Sequence, residues 1–197
     1  MNLLIPTWGL LGATLGAVIN THIRPLLQHN PTGPWKTPLT AALTGILFTA
    51  TAALTPTTEA RTAISAVITV GVPLAAIDLT ELRLPTPLIT AGLTTTITAT
   101  LATGTWTAPT RAITAAFLVT ALYLTLAHTT GGLGPGDIRL GALLATLTAW
   151  TTWTALATSL ILSWTTLALQ HTTHHDNTPI PAGPALILGT IITTLST

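Results

Sequence analysis

The sequence contains no cysteine, which excludes disulfide bonds and any metal held by thiolates. Charge is almost as scarce. Six Lys and Arg and five Asp and Glu make up 6% of 197 residues, whereas soluble domains carry about 25%. So few charges cannot coat a water-facing surface of this size. The net charge of +1 also lacks the basic excess that holds a phosphate backbone, which excludes nucleic acid as a partner. The first apolar run has no basic flank before it and continues into further spans. It reads as a transmembrane helix rather than a signal peptide.

What the sequence does have is apolar mass. Hydrophobic residues make up 48% of the chain, and its mean hydropathy is +0.67. Roughly a quarter of the residues are Thr, which hides in a membrane helix by bonding a carbonyl one turn back. A spanning helix needs about 20 mostly apolar residues. Polar, Pro-rich and charged breaks then divide the chain into candidate spans at 3–21, 38–54, 62–77, 87–103, 112–128, 138–150, 153–169 and 183–195. The segment 138–169 is too long for one span and short for two, so a tight turn is expected near Thr151. The fold class is therefore all-α, a single polytopic transmembrane bundle of six to eight helices. An outside N-terminus places Arg24, Lys36, Arg83 and Arg139 on the cytoplasmic side and Arg61 and Arg111 outside. The same choice puts Asp78, Asp137 and the loop "QHTTHHDNTPIPAG" on the inner face.

The carboxylates divide into two groups. Glu59 in "TPTTEAR", Glu81 near Arg83, and Asp176 in the His-rich loop read as solvated loop charges. Asp78 closes the run "VITVGVPLAAID", and Asp137 opens "IRLGALLATLTAW". An acid at a membrane boundary is a functional candidate, because its charge is costly unless it is paired or wet. The structural alternatives are an Asp78–Arg83 ion pair and an N-cap role for Asp137. Gly131, Gly132, Gly134 and Gly136 surround Pro135 just before Asp137. That supply of glycine exceeds what a cap needs and permits positive φ or the close approach of a substrate backbone. If the two helix ends meet, the carboxyls share one proton. One then takes a proton from water while the other donates to a peptide carbonyl.

"GLGPGDIRL" resembles the G-x-G-x-G-D-x-K-L segment of the type IV prepilin leader peptidases, the intramembrane GxGD aspartic proteases, with Arg139 in place of Lys. "AIDLTELRLPTPLIT" resembles the first aspartate segment of that family. "GLLGATLGAVINTHIRPL" resembles its N-terminal helix, and "IPAGPALILGTII" its C-terminal I-P-F-G-P-F segment, with Ala182 and Ala185 in place of Phe. The resemblance implies a catalytic pair of Asp78 and Asp137, with Gly132, Gly134, Gly136 and Arg139 forming the motif beside the substrate backbone. It implies cleavage on the cytoplasmic side of the inner membrane, after a glycine that ends a short basic leader. The substrate would be a prepilin or pseudopilin whose apolar helix lies in the bilayer. Larger members carry a zinc-binding insertion with C-x-x-C pairs and N-methylate the new terminus with S-adenosylmethionine. Here that region shrinks to "QHNPTGPWKTPLT", so the chain reads as a compact, peptidase-only form without a cofactor.

Weaker signals remain. His171, His175 and Asp176 have ligand-like spacing, but a juxtamembrane loop explains them as well. His22, Arg24 and Lys36 suit lipid or substrate contact, Trp8, Trp35 and Trp106 suit interface anchoring, and Asn20 suits an interhelical hydrogen bond. The rival functional readings are a small transporter or channel that uses the two acids as an ion or proton relay, and a non-catalytic assembly subunit descended from such peptidases.

Overall fold

A computed structural model describes residues 3–23, 37–102, 106–173 and 180–196. Among them it contains eight helices and no strand: α1 (Leu4–Ile23), α2 (Thr37–Leu54), α3 (Thr58–Glu81), α4 (Thr86–Leu101), α5 (Thr107–Thr130), α6 (Pro135–Thr151), α7 (Trp153–Thr173) and α8 (Gly183–Ser196). Four of them, α1, α2, α3 and α5, are both long and apolar enough to cross a bilayer. The expected turn near Thr151 falls at Thr152, the only residue between α6 and α7, whose hydroxyl caps the next helix at the Ala155 N–H, 3.0 Å away.

The helices overrun the hydropathy-based spans at the chemically important ends. α3 continues past Ile77 to Glu81, and α6 begins at Pro135 rather than Ile138. Acids, Pro and Gly lower hydropathy, but they do not break the backbone ladder at a helix end. Asp78 and Glu81 are therefore helical, as are Asp137 and Glu59, which lies in the first turn of α3 instead of a loop.

The centre of the bundle is α3 and α6. α3 packs against α1, α2, α4, α6 and α8, and α6 packs against α3, α4, α5, α7 and α8. Ile68, Leu74, Leu140, Leu143 and Leu147 are completely enclosed. Small residues set the distances. A Cβ on Gly12 of α1 would lie 2.4 Å from Phe48 Cγ of α2, and one on Gly141 of α6 would lie 2.5 Å from Tyr123 Cε2 of α5. Tyr123, the only tyrosine, stacks edge-on against Trp164 of α7 with ring centroids 5.8 Å apart. Outward faces carry exposed Leu10, Phe117, Leu118, Ile161 and Leu169, as a lipid-solvated bundle requires. Many buried threonines are satisfied within their own helices: Thr44, Thr96, Thr100 and Thr148 each donate to the carbonyl one turn back at 2.7–2.9 Å.

The short helices are the informative ones. α4, α6 and α8 have 16, 17 and 14 residues. At 1.5 Å per residue they reach about 21–26 Å, less than the ~30 Å hydrocarbon core. Their N-termini gather where α3 ends.

Candidate active site

Asp78 sits in the last turn of α3 and is 5% exposed. The helix stops at Leu82, a non-glycine residue in the left-handed region with φ 52°, whose N–H bonds the Asp78 carbonyl at 3.0 Å. This cap turns the chain sharply, so Leu82, Arg83 and Leu84 fold back beside the Asp78 side chain. The carboxylate does not pair with Arg83. Its Oδ2 accepts the backbone N–H of Gly183, the first residue of α8, at 2.8 Å. Arg83 instead donates from Nε to Glu81 Oε2 at 2.5 Å. The Glu81 side chain is 6% exposed, so this acid is an enclosed ion-pair partner and not a solvated loop charge.

Asp137 lies in the first turn of α6 and is half-buried. Its Oδ2 accepts the Gly134 N–H at 3.0 Å, closing the start of its own helix. Capping and cavity lining therefore coexist in one side chain. The glycines around it do different jobs. Only Gly131, the C-cap of α5, takes a positive φ among the described glycines, at 66°. Gly132 is exposed and donates to Thr130 Oγ1 at 3.3 Å. Gly136 is needed for a close approach, but the neighbour is this chain's own Leu84: a Cβ at 136 would lie 2.8 Å from Leu84 Cβ. Arg139 is exposed and donates from Nη1 to Thr86 Oγ1 at 2.8 Å, tying α6 to the start of α4.

Asp78 and Asp137 thus line one cavity of about 230 Å³, together with Leu82, Arg83, Leu84, Gly134, Pro135, Gly136 and Arg139. At ~30 Å³ per water, the space holds several waters. The N-termini of α4, α6 and α8 open at or beside it, and their partial positive charges favour carboxylates there. A larger groove of about 320 Å³ lies between α1, α2, α3 and α4, lined by Trp8, Leu11, Phe48, Ser65 and Gly92, but it holds no charged side chain. The smaller cavity instead brings two acids together, each with one oxygen fixed by a backbone amide.

The other described sequence candidates do not line this cavity. Arg24, Trp35, Lys36, His175 and Asp176 lie outside the described residues, and no cluster of three metal-ligating side chains occurs among the described ones. His22 Nδ1 lies 2.8 Å from the Val18 carbonyl of its own helix. The Trp8 indole donates to Ser65 Oγ at 2.9 Å, which ties α1 to α3. Asn20 Nδ2 is buried without a partner among the described residues, in place of the expected interhelical bond. Sequence reasoning missed Gly183 as a site residue. The available signal was the I-P-A-G-P segment, which was quoted for resemblance but given no contact.

A model of the type IV leader peptidase family matches residues 65–192, from α3 into α8. The match contains both aspartates and the C-terminal glycine segment, and it leaves out α1 and α2. No curated protein and no solved structure matches the chain. With well over half of its length matched, and with the matched helices holding Asp78 and Asp137 on one cavity and Gly183 bonded to Asp78, this chain belongs to the type IV leader peptidase family.

Proposed function

We propose that this chain is an intramembrane aspartic endopeptidase that removes the short basic leader of a prepilin-like or pseudopilin protein at the cytoplasmic face of the plasma membrane. The observation that carries the reading is the shared cavity of Asp78 and Asp137 at the ends of helices in an otherwise nearly uncharged bundle.

Two carboxyls that face each other across one small cavity hold one proton between them more readily than none. The ionised one removes a proton from a cavity water as that water attacks the scissile carbonyl. The protonated one donates to the carbonyl oxygen, giving a neutral gem-diol. Collapse returns a proton to the leaving amine, breaks the C–N bond and restores the shared proton. No covalent intermediate forms. The substrate's apolar helix remains in lipid while its leader lies extended across the cavity.

A proton or ion relay fits less well. Away from the cavity end, the next charged side chains are Glu59 and Arg61 at the start of α3 and Arg111 of α5 beside the last turn of α6, all at the opposite end of the bundle. The test is reconstitution with a prepilin-like substrate. Asp78→Ala and Asp137→Ala should each insert normally and release no leader. Normal processing by either variant overturns the assignment.

A further inference from the structure

We infer that α8 acts as a fixed strut whose N-terminus sets the position of the Asp78 carboxylate, with Gly183 as the positioning residue; the reaction concerned is the one proposed above. A helix start leaves its first N–H groups without intrahelical acceptors, and a nearby Ser, Thr, Asp or Asn usually supplies one. α8 has no such residue at its start. Ala182 precedes it, and Pro184 follows with no N–H to offer. The acceptor for the Gly183 N–H is Asp78, 105 positions away in sequence, in a buried bond of 2.8 Å. One acid therefore serves as the cap of a helix it does not belong to.

The strut is anchored independently of that bond. Ile187 packs on Gly71 of α3, where a Cβ would meet Ile187 Cγ2 at 3.2 Å. On α7, Ser159 Oγ lies 3.0 Å from Thr190 Oγ1, and Ser163 donates to the Leu186 carbonyl at 3.3 Å. The N-terminus of α8 is thus a fixed reference against which the flexible carboxylate comes to rest. Glycine is required at 183 because the carboxylate lies against the backbone there. A Cβ would come 2.8 Å from Asp78 Oδ2, 3.3 Å from Cγ and 3.4 Å from the Asp78 Cβ. Alanine is a better helix former than glycine, so Gly183→Ala leaves α8 intact and displaces the acid.

The experiment uses the full chain in lipid nanodiscs, with two readouts. In unfolding, Gly183→Ala lowers the midpoint in the wild-type background and leaves it unchanged or raised in the Asp78→Ala background, because the crowded partner has gone. Gly189→Ala is the control. Its Cβ would meet Ser163 Oγ at 2.4 Å, far from the acid, and it lowers both midpoints alike. In cleavage of a prepilin-like substrate, Gly183→Ala lowers kcat by about 10- to 100-fold with KM unchanged, as expected for a misplaced reacting group. Equal midpoint shifts for Gly183→Ala in both backgrounds overturn the contact, and an unchanged kcat overturns its role in positioning. If the wild-type chain cleaves no such substrate, the protease reading fails, while the unfolding cycle still decides whether α8 holds Asp78.

Discussion

Asp78 and Asp137 line the same cavity but are held in opposite ways. Asp137 is fixed by its own turn: the amide it grips, Gly134, is three residues away, and both belong to the start of one helix. Asp78 is fixed by an amide 105 residues away, on a helix that must already be packed against α3 and α7. One carboxylate is placed by local sequence and the other by tertiary structure. They also differ in burial, Asp78 being enclosed and Asp137 half-buried. A perturbation of packing should therefore reach the cavity through Asp78, and a perturbation of the glycine turn through Asp137.

The largest effect comes from the acids themselves. Either one replaced by Ala or Asn should end cleavage, measured as leader release from reconstituted substrate. Stability should separate the two positions. At 78, Ala leaves the buried Gly183 N–H without an acceptor, a cost of ~1–3 kcal/mol, while Asn keeps a carbonyl there. At 137, loss of a wetter local cap costs ~1 kcal/mol. The Ala-to-Asn difference in unfolding free energy should thus be larger at 78 than at 137. Equal differences would contradict the contrast.

Next in size is the turn that carries Asp137. Gly136→Ala drives a Cβ to 2.8 Å from Leu84 Cβ, between the α3–α4 connection and α6. Neither atom is the free end of a side chain, so backbone must move. Cleavage should fall about 10- to 100-fold, and Leu84→Gly in the same chain, which removes the crowded Cβ, should restore most of it. Lack of rescue would mean that Gly136 serves a bound substrate directly.

This contrast also explains what the sequence could reveal. The eight apolar runs became eight helices because hydropathy and helix geometry are local properties; the N-cap offered as the alternative for Asp137 belongs to Gly134, and Asp137 reaches back to it from the third residue of the helix. The neighbour of Asp78 was not legible: nothing around residue 78 encodes an amide at 183, and the nearer Arg83 was the obvious partner. Arg83 went to Glu81 because Leu82, between them, adopts a left-handed cap, which a leucine does not announce. The closeness of Gly136 was readable as a need for space, but not that Leu84 would fill it. The cavity-facing acids were thus found from their chemistry, and their supports only from the packing.

The far end of α6 offers an intermediate test. Arg111 of α5 donates to the carbonyls of Ala149, Trp150 and Thr151, serving the C-terminal turn with charge-assisted bonds. Arg111→Ala should destabilise the fold by ~2–3 kcal/mol. Asp137 is 14 residues away, about 21 Å along the helix, and is held by its own turn. Cleavage per folded molecule should therefore fall less than about tenfold. Abolished cleavage in a folded Arg111→Ala chain would show that Asp137 depends on distant packing after all.

The smallest effect is expected at Arg139, and it bears on whether this side chain touches substrate or only braces the site. Its bond to Thr86 joins α6 to α4 beside the cavity, but the arginine is exposed, so water competes for its donors. Removing the bond from either side should cost under ~1 kcal/mol. Thr86→Val keeps the shape and deletes the acceptor, whereas Arg139→Lys keeps the charge and loses the planar fork. If the bond is a brace, the two variants should reduce cleavage alike, by less than about fivefold. If Arg139→Lys is much the worse and raises KM while Thr86→Val is silent, the guanidinium binds the leader. The bond to Thr86 is then its resting position, and the glycine turn has a recognition role beyond holding Asp137.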